Sequence, residues 1–130
     1  MTAPPATVVA AAVVERGGLL LVAQRLEGTH LAGHWEFPGG KCEAGEEARA
    51  CLARELREEL GVGARVGEEI HRTIYACGEG RLELVFFRCE LDTEPRPLLG
   101  QAIRWVSREE LRTLRFPPAD AELIRLLSTP

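Results

Sequence analysis

One segment, residues 40–62, constrains the fold of this chain more than any other. It opens on a glycine that follows Pro38 and Gly39, and adjacent glycines suit a tight loop in which the backbone approaches another group closely. The stretch Glu46–Leu60 contains no glycine, proline or β-branched residue, which predicts a helix. Gly61 follows directly and suits the left-handed cap that ends many helices.

The predicted helix has two different faces. Its apolar residues recur at every fourth position and predict packing on a sheet; they are Ala48, Leu52, Leu56 and Leu60. Glu46 and Glu47 are expected in the first turn, where the helix dipole favours negative charge. On a neighbouring face, Glu55, Glu58 and Glu59 lie at positions i, i+3 and i+4 and form one acidic cluster.

Two interpretations of the acidic cluster stay open on these three residues alone. The cluster can be a solvated face, with Arg54 and Arg57 interleaved to offset the repulsion between carboxylates. Alternatively, it can bind a hard cation, because carboxylates on one face suit Mg²⁺, which shares its remaining coordination with water and substrate phosphates. In that case Arg54 steadies the carboxylates by charge-assisted hydrogen bonds.

The spacing of these residues resembles the signature of the Nudix hydrolases. The matching positions are Gly40, Glu46, Arg54-Glu55-Leu56, Glu58-Glu59 and Gly61-Val62. The preceding segment 36–41 looks like the MutT-type branch, which sanitises nucleotide pools. The resemblance implies an α/β fold with a mixed β-sheet sandwiched between α-helices (α/β/α). It also implies hydrolysis of nucleoside triphosphates to monophosphate and pyrophosphate, dependent on Mg²⁺, with Mn²⁺ as a substitute.

The resemblance implies a metal site and a catalytic role for the helix. The Gly39 carbonyl would join Glu55, Glu58 and Glu59 as ligands, Arg54 would orient them, and one carboxylate would accept the proton of the attacking water. Members similar to MutT often carry a further glutamate six residues before the tryptophan that is Trp105 here. Leu99 occupies that position. Which glutamate serves as the base therefore stays open.

A set of substrate-contacting residues is also implied by the resemblance. They are Arg25, His30, Glu36, Phe37, Pro38, Gly39, Arg81 and Asp120. Arg25 and Arg81 would reach the substrate, but each can instead be a surface charge beside a turn. His30 can be an exposed loop histidine, and Phe37 can belong to the core instead of contacting the base.

Asp120 has two competing interpretations. It follows Pro117-Pro118-Ala119 near a helix start, where aspartate is a good cap and where the helix dipole stabilises its negative charge. In the family pattern this position recognises the base. An ionised aspartate only accepts hydrogen bonds, which suits the amino group of cytosine, whereas an oxidised guanine requires the protonated acid. The choice between oxidised purine and cytosine nucleotides, modified or not, stays open.

Other Nudix branches match less well. The ADP-ribose group carries a proline some fifteen residues after the signature, and no proline occurs between Val62 and Glu94. The dinucleoside polyphosphate group carries a tyrosine in that neighbourhood, and Tyr75 lies somewhat early. A non-catalytic nucleotide-binding module is the other alternative, although such modules usually lose signature carboxylates that this chain keeps.

The composition limits which binding partners and which cellular location are expected. The 130 residues predict one domain, residues 1–130, and a net charge of −4 without a basic run disfavours long nucleic acid and anionic membranes. The expected partner is a small nucleotide, and the protein is expected to be a monomer or homodimer. Four cysteines without a C-x-x-C pair predict reduced thiols in a cytoplasmic protein, and no export or membrane-spanning segment is evident.

The rest of the chain predicts mostly strands. Apolar or alternating runs predict strands over residues 7–15, 19–24, 35–37, 64–76, 82–91 and 102–106, with a turn over 78–80. Ser107 and Glu110 have capping-box spacing, which predicts a short helix to about Leu114. A last helix is expected to run to about Leu127, with Leu123, Ile124 and Leu127 as its apolar face.

Overall fold

The computed structural model describes residues 6–77 and 80–128. The strands are β1 (Ala6–Arg16), β2 (Leu19–Gln24), β3 (Trp35–Glu36), β4 (Gly39–Lys41), β5 (Ala64–Cys77), β6 (Gly80–Leu91) and β7 (Ile103–Val106). The helices are α1 (Ala48–Leu60), α2 (Ala121–Ser128) and two 3₁₀-helices, Glu110–Thr113 and Pro118–Asp120. Sequence patterns predicted each of these elements except β4 and the second 3₁₀-helix. The turn predicted over residues 78–80 lies partly outside the described residues.

The strands form a mixed sheet around β1. Within the described part of the chain, the strand order is β3-β2-β1-β6-β5, with β4 also paired to β1 and β7 to β2. β1 and β6 are parallel, from Ala6 opposite Arg81 to Val14 opposite Cys89, and the other pairs are antiparallel. Because β1 lies at the centre, its apolar run is buried on both faces.

The two faces of the sheet are covered by different helices. On one face, Ala10, Ala12 and Val14 of β1 pack with the apolar side of α1. On the other face, Ala11 and Val13 pack in a cluster with residues of α2 and the first 3₁₀-helix. The predicted α/β/α arrangement is therefore confirmed. Among the described residues, no helix is long and apolar enough to cross a membrane.

The ends of α1 correct one expectation and confirm another. The helix begins at Ala48, so the prediction that Glu46 and Glu47 lie in its first turn is wrong. Glu47 instead caps the helix, and its side chain accepts a hydrogen bond from the Ala50 amide at 3.0 Å. At the other end, Gly61 takes the left-handed conformation, with φ 67°, and donates to the Arg57 carbonyl.

The capping box after β7 is present. The Ser107 amide donates to Glu110 Oε1 and the Glu110 amide donates to Ser107 Oγ, each at 3.1 Å. In α2, Leu123 and Leu127 are buried, as the apolar pattern predicted, and Ile124 is partly buried.

Two of the four cysteines form a disulfide. Cys42, just after β4, is bonded to Cys51 in α1, with their Cα atoms 5.3 Å apart. The prediction of four reduced thiols is wrong for this pair, because the packing of β4 beside α1 brings together two residues nine positions apart. Cys89 is a free, buried cysteine, and burial raises the pKa of its thiol to about 12.

Candidate active site

The acidic cluster lies on the last two turns of α1 and is organised by Arg54. The Arg54 guanidinium donates from Nη1 to Glu55 Oε1 at 3.0 Å and to Glu58 Oε2 at 3.2 Å. The Glu55 side chain is only 13% exposed, whereas that of Glu58 is 58% exposed. The cluster therefore spans the boundary between the protein interior and solvent, where a charged ligand can reach it.

Arg54 also ties α1 to the segment before it. It donates from Nε to Glu46 Oε2 at 2.8 Å and from Nη2 to Glu46 Oε1 at 2.9 Å, which is the two-pronged geometry that arginine favours. Glu46 Oε1 also accepts from the Glu43 amide, and Arg54 Nη2 donates to the Lys41 carbonyl at 3.3 Å. The hydrogen bonds from Arg54 hold the pKa of Glu46 at about 2. Through these contacts Glu46 tethers the start of the helix to the loop before it.

Two glycines allow the β4 backbone to lie against its neighbours. A Cβ on Gly39 would fall 2.0 Å from the Ala10 carbonyl oxygen, and the φ of 156° is one that few other residues adopt. A Cβ on Gly40 would fall 2.4 Å from Glu55 Oε2. The Gly40 backbone thus packs directly against the carboxylate of Glu55, which explains the need for glycine at this position.

Glu59 lies in an environment that disfavours its negative charge. Burial raises the pKa of Glu59 to about 8, and the nearby carboxylates of Glu55 and Glu36 contribute to the shift. A bound divalent cation would reverse this effect, because its charge favours the ionised carboxylates. The donor set, carboxylate oxygens without sulfur or imidazole, fits a hard cation such as Mg²⁺.

Glu36 connects the acidic cluster to a second group of charged residues. Its side chain accepts a hydrogen bond from Arg25 Nη1 at 2.8 Å. Burial raises the pKa of Glu36, and the Arg25 charge opposes this shift. Asp120 is 5% exposed, and burial, followed by the charge of Glu36, raises its pKa to about 7. Electrostatic coupling through Glu36 thus reaches both Glu59 and Asp120.

An aromatic cluster adjoins this group. Phe37 is buried and stacks on Phe116, with the ring centroids 5.3 Å apart, and it meets Phe86 edge to face at 5.9 Å. The sequence left open whether Phe37 belongs to the core, and its burial places it there. The face of Phe37 remains close to the segment that carries Asp120, because Phe116 lies four residues before it.

Sequence patterns missed His71, which faces this aromatic cluster. Its ring lies 6.0 Å from that of Phe86, and its buried Nε2 has no hydrogen-bond partner among the described residues. The pairing of β5 with β6 shifts register between Glu69, which lies opposite Phe87, and His71, which lies opposite Phe86. Glu69 and His71, although two residues apart, therefore lie on opposite faces of the sheet. Strict alternation would have assigned both residues to one face.

The other expected substrate residues are dispersed. His30 is exposed, and its carbonyl accepts from Arg25 Nε at 2.5 Å. Pro38 is buried, and its carbonyl accepts from the Ala12 amide at 2.7 Å. Arg81 is exposed at the start of β6 and, by strand alternation, lies on the side of Phe87, opposite to Phe37. Arg25 contacts Glu36, whereas Arg81 makes no hydrogen bond or ion pair with Glu36 within the described residues.

The loop before β7 closes over the end of α1. Gln101 is buried and donates from Nε2 to the Glu59 carbonyl at 3.2 Å, while its Oε1 accepts from the Leu99 amide at 2.9 Å. The Leu98 amide also donates to the Glu59 carbonyl. Leu99, at the position where the resemblance implies a glutamate, is exposed, and as a leucine it offers no acid.

Two clefts are open on the surface of the described residues. One, of about 310 Å³, lies between the loop after β2 and the loop before β7, and Arg25, Glu27 and Gln101 contribute to its lining. The other, of about 420 Å³, lies against α2 and is lined by residues such as Phe116 and Arg125. Neither cleft is lined by a residue of the acidic cluster, but Arg25 links the smaller cleft to Glu36.

The model of the NUDIX domain family matches residues 4–127. The chain is a Nudix hydrolase. Nudix hydrolases generally depend on a divalent metal ion, which agrees with the acidic cluster on α1.

Several known proteins are similar to this chain along most of their length. A Mycobacterium tuberculosis protein, provisionally named 8-oxo-dGTP diphosphatase 2, is 43% identical over 93% of this chain and 90% of its own length. The CTP pyrophosphohydrolase of Escherichia coli is 40% identical over 89% of this chain and 87% of its own length. The solution structure of the E. coli ORF135 protein superposes with a TM-score of 0.85 at 36% identity, covering 94% of this chain and 88% of that chain.

Proposed function

We propose that this Nudix hydrolase cleaves nucleoside triphosphates, with Mg²⁺ held by the acidic cluster and the Gly39 carbonyl, and releases a monophosphate and pyrophosphate. The observation that carries the proposal is the crowding of Glu59 beside Glu55 and Glu36 in a partly buried position. Such crowding destabilises the metal-free protein and is relieved when a cation binds. Mn²⁺ is expected to substitute for Mg²⁺ in this site.

Different residues of the chain have different roles in the proposed hydrolysis. The bound ion supplies charge neutralisation and lowers the pKa of water. Arg54 holds Glu55 and Glu58 in place, and a carboxylate of the acidic cluster accepts the water proton, since Leu99 offers no acid. Arg25, positioned by Glu36 and the His30 carbonyl, contacts the substrate phosphates.

We infer that Asp120 lies at the base of the nucleotide. The pKa of Asp120 near 7 means that the carboxyl can be present in either form at neutral pH. The ionised form accepts a hydrogen bond from the amino group of cytosine, and the protonated form can donate to an oxidised guanine. The names of the relatives, an 8-oxo-dGTP diphosphatase and a CTP pyrophosphohydrolase, cover the same two classes. The proposed substrates are therefore oxidised dGTP and cytosine nucleotides, in the cytoplasmic nucleotide pool.

A hydrolysis panel tests this function. It contains 8-oxo-dGTP, dGTP, CTP, dCTP, methylated dCTP, ADP-ribose and a dinucleoside polyphosphate, each with and without Mg²⁺ and with products identified. We expect monophosphate and pyrophosphate from an oxidised guanine or cytosine nucleotide, only when metal is present. Preferred cleavage of ADP-ribose or the dinucleoside polyphosphate would contradict the substrate class. Tight binding without product would indicate a non-catalytic module.

The panel is repeated with Asp120→Asn to test base recognition. Asparagine both donates and accepts hydrogen bonds, so the ratio of kcat/KM between cytosine and oxidised guanine substrates should change by about tenfold or more. Asp92→Asn is the control, because Asp92 is exposed and its side chain hydrogen-bonds only with the Gly63 amide and Thr93 among the described residues. An unchanged ratio in Asp120→Asn would mean that the residue has only a structural role.

A further inference from the structure

The disulfide between Cys42 and Cys51 joins the two segments that build the acidic site. Cys42 follows β4 directly, and its amide donates to the Val8 carbonyl at 2.8 Å, which fixes it to the sheet. Cys51 lies in α1 and is completely buried, with its Sγ 3.8 Å from the Gly40 carbonyl oxygen. The bridge therefore spans from the backbone beside Gly40 to the helix that carries the acidic cluster.

The contact that depends on these two segments is that between Gly40 and Glu55. There is no room for a Cβ between the Gly40 backbone and the Glu55 carboxylate, so a small relative movement of β4 and α1 alters this contact. Two unbonded thiol sulfurs cannot approach as closely as two bonded sulfurs. Opening the bridge at a buried position therefore requires one of the two segments to move.

The hydrogen bonds of Arg54 connect the same two segments and limit this movement. Arg54, three residues after Cys51, binds Glu46 with two hydrogen bonds and reaches the Lys41 carbonyl. With the disulfide open, residues 41–47 are held against α1 by Arg54, through Glu46 and the Lys41 carbonyl, and by Glu47, which caps the helix. The segment is then expected to remain folded but to open more often, as locally less stable segments do.

The access of the two cysteines and the thiols of the cytoplasm favour a disulfide that forms and is reduced reversibly. The disulfide residues differ in access, because Cys42 is partly exposed whereas Cys51 is fully buried. A protein that acts on the cytoplasmic nucleotide pool meets low-molecular-weight thiols, and disulfides in that compartment are usually transient or redox-sensing. This step rests on the proposed function.

We propose that Cys42 and Cys51 are a reversible thiol–disulfide site, and that its oxidised form holds residues 41–47 against α1 and so supports the acidic cluster. The oxidant is a low-molecular-weight disulfide. The Cys42 thiolate attacks one of its sulfurs and releases one small thiolate, leaving a mixed disulfide at Cys42. The Cys51 thiolate then displaces the second small thiolate from Cys42. The two protein thiols lose two protons and two electrons, and the small disulfide is reduced to two thiols.

A metal ion held by the same residues is the competing interpretation. Cys42, Glu46 and Cys51 place their ligand atoms within 4.8 Å of one another. Both oxygens of Glu46 are already bound by Arg54, and its pKa of about 2 reflects this pairing. The bonded sulfurs and the engaged carboxylate favour the disulfide over a thiolate-bound cation.

The first test counts thiols in the intact protein. The four cysteines are titrated under denaturing conditions after treatment with oxidised glutathione or with dithiothreitol, and the bridged peptide is located by mass spectrometry. We expect two fewer thiols after oxidation and a Cys42–Cys51 peptide that disappears on reduction. Cys77→Ser, which keeps the pair, should respond in the same way, and Cys42→Ser should not. Failure to form the bridge, or loss of thiol reactivity only on adding Zn²⁺, would overturn the proposal.

The second test measures the consequence of the bridge. Hydrogen exchange of the amides in residues 41–47 should slow by about tenfold on oxidation, because closing a short loop restricts its open states. Under the same conditions kcat/KM of the oxidised form should exceed that of the reduced form several-fold. Equal exchange and equal kcat/KM in both forms would overturn the proposal. If no form hydrolyses a nucleotide, the proposed function fails, while the exchange measurement still decides whether the bridge holds this segment.

Discussion

Glu59 combines a crowded, partly buried position with a place in the proposed metal site. It is partly buried, and the charges of Glu55 and Glu36 lie near enough to disfavour its ionised form. Its backbone carbonyl is fixed by Gln101 and by the Leu98 amide, so the helix end that carries it has little freedom. A glutamate held in this way is costly to keep charged without a cation, which is the physical basis of the proposed metal site.

Replacing Glu59 with glutamine should lower the activity and raise the stability of the metal-free protein. We expect kcat to fall by about 10²–10⁴-fold, the usual loss when a group that moves protons or holds the reacting centre is removed. The metal-free variant should melt at a higher temperature than the wild type at pH 8, because no charge is then buried at this position and the repulsion with Glu55 is gone. Thermal melts and initial rates measure both effects, with Glu109→Gln, an exposed acid, as the control. Near-normal rates would remove Glu59 from the catalytic site.

Asp120 should make the stability of the protein depend on pH. Its pKa is about 7 in the folded protein and near 3.8 when unfolded, so the folded state binds the proton more tightly. The contribution of Asp120 to the free energy of unfolding therefore falls as pH rises from about 4 to about 7. The free energy of unfolding of Asp120→Asn should exceed that of the wild type by about 2–4 kcal/mol at pH 8, and this difference should vanish near pH 4. Urea unfolding at these pH values measures it; a pH-independent difference would contradict the account.

At the scale of elements, α1 and the segment before it act as one unit. The segment reaches the helix through three kinds of contact: the Arg54–Glu46 ion pair, the Cys42–Cys51 disulfide and the packing of Gly40 on Glu55. Each contact sets the position of a carboxylate relative to the β4 backbone. Changes in this unit should therefore affect metal binding more than folding.

Arg54→Lys tests the ion pair. Lysine keeps the positive charge but cannot form the two-pronged contact with Glu46 or bind Glu55 and Glu58 together. We expect the Mg²⁺ concentration for half-maximal activity to rise by about 10–100-fold, as for other residues that support metal ligands. Arg57→Lys, at an exposed position on the same helix, should leave it unchanged. Equal metal requirements in the two variants would contradict a supporting role for Arg54.

Gly40→Ala tests the close packing in β4. The added methyl group would overlap the Glu55 carboxylate, which must rotate away from its present position. We expect a loss of activity of at least about tenfold with a small change in melting temperature, since the displaced group is a side chain and not backbone. Lys41→Ala is the neighbouring control, because Lys41 is exposed and only its carbonyl is used. Full activity in Gly40→Ala would exclude a strict requirement for the present position of Glu55.

At the scale of the whole molecule, the sequence predicted what local patterns determine. The helix spacing predicted α1 and its acidic face, and the apolar runs predicted the strands, because burial on one or both faces is encoded in their periodicity. The capping box after β7 was also predictable from two residues.

The rest depends on contacts between distant segments. The Cys42–Cys51 bridge requires the register of β4 against β1, and the orientation of His71 requires a register shift in β5 that alternation does not predict. The pairing of Arg25 with Glu36 arises from two strands that adjoin only in the sheet. Burial of Asp120, which decides its protonation, follows from the packing of the second 3₁₀-helix on β5.

The central claim is that the acidic cluster holds a divalent cation against the phosphoanhydride bond. The most direct measurement is a crystal structure of the protein with Mn²⁺ and a non-hydrolysable nucleoside triphosphate, in which anomalous scattering locates the metal. The account predicts a metal peak about 2.1 Å from carboxylate oxygens of the acidic cluster, in contact with the phosphates. A metal bound elsewhere, with Glu55 and Glu59 facing open solvent, would contradict it.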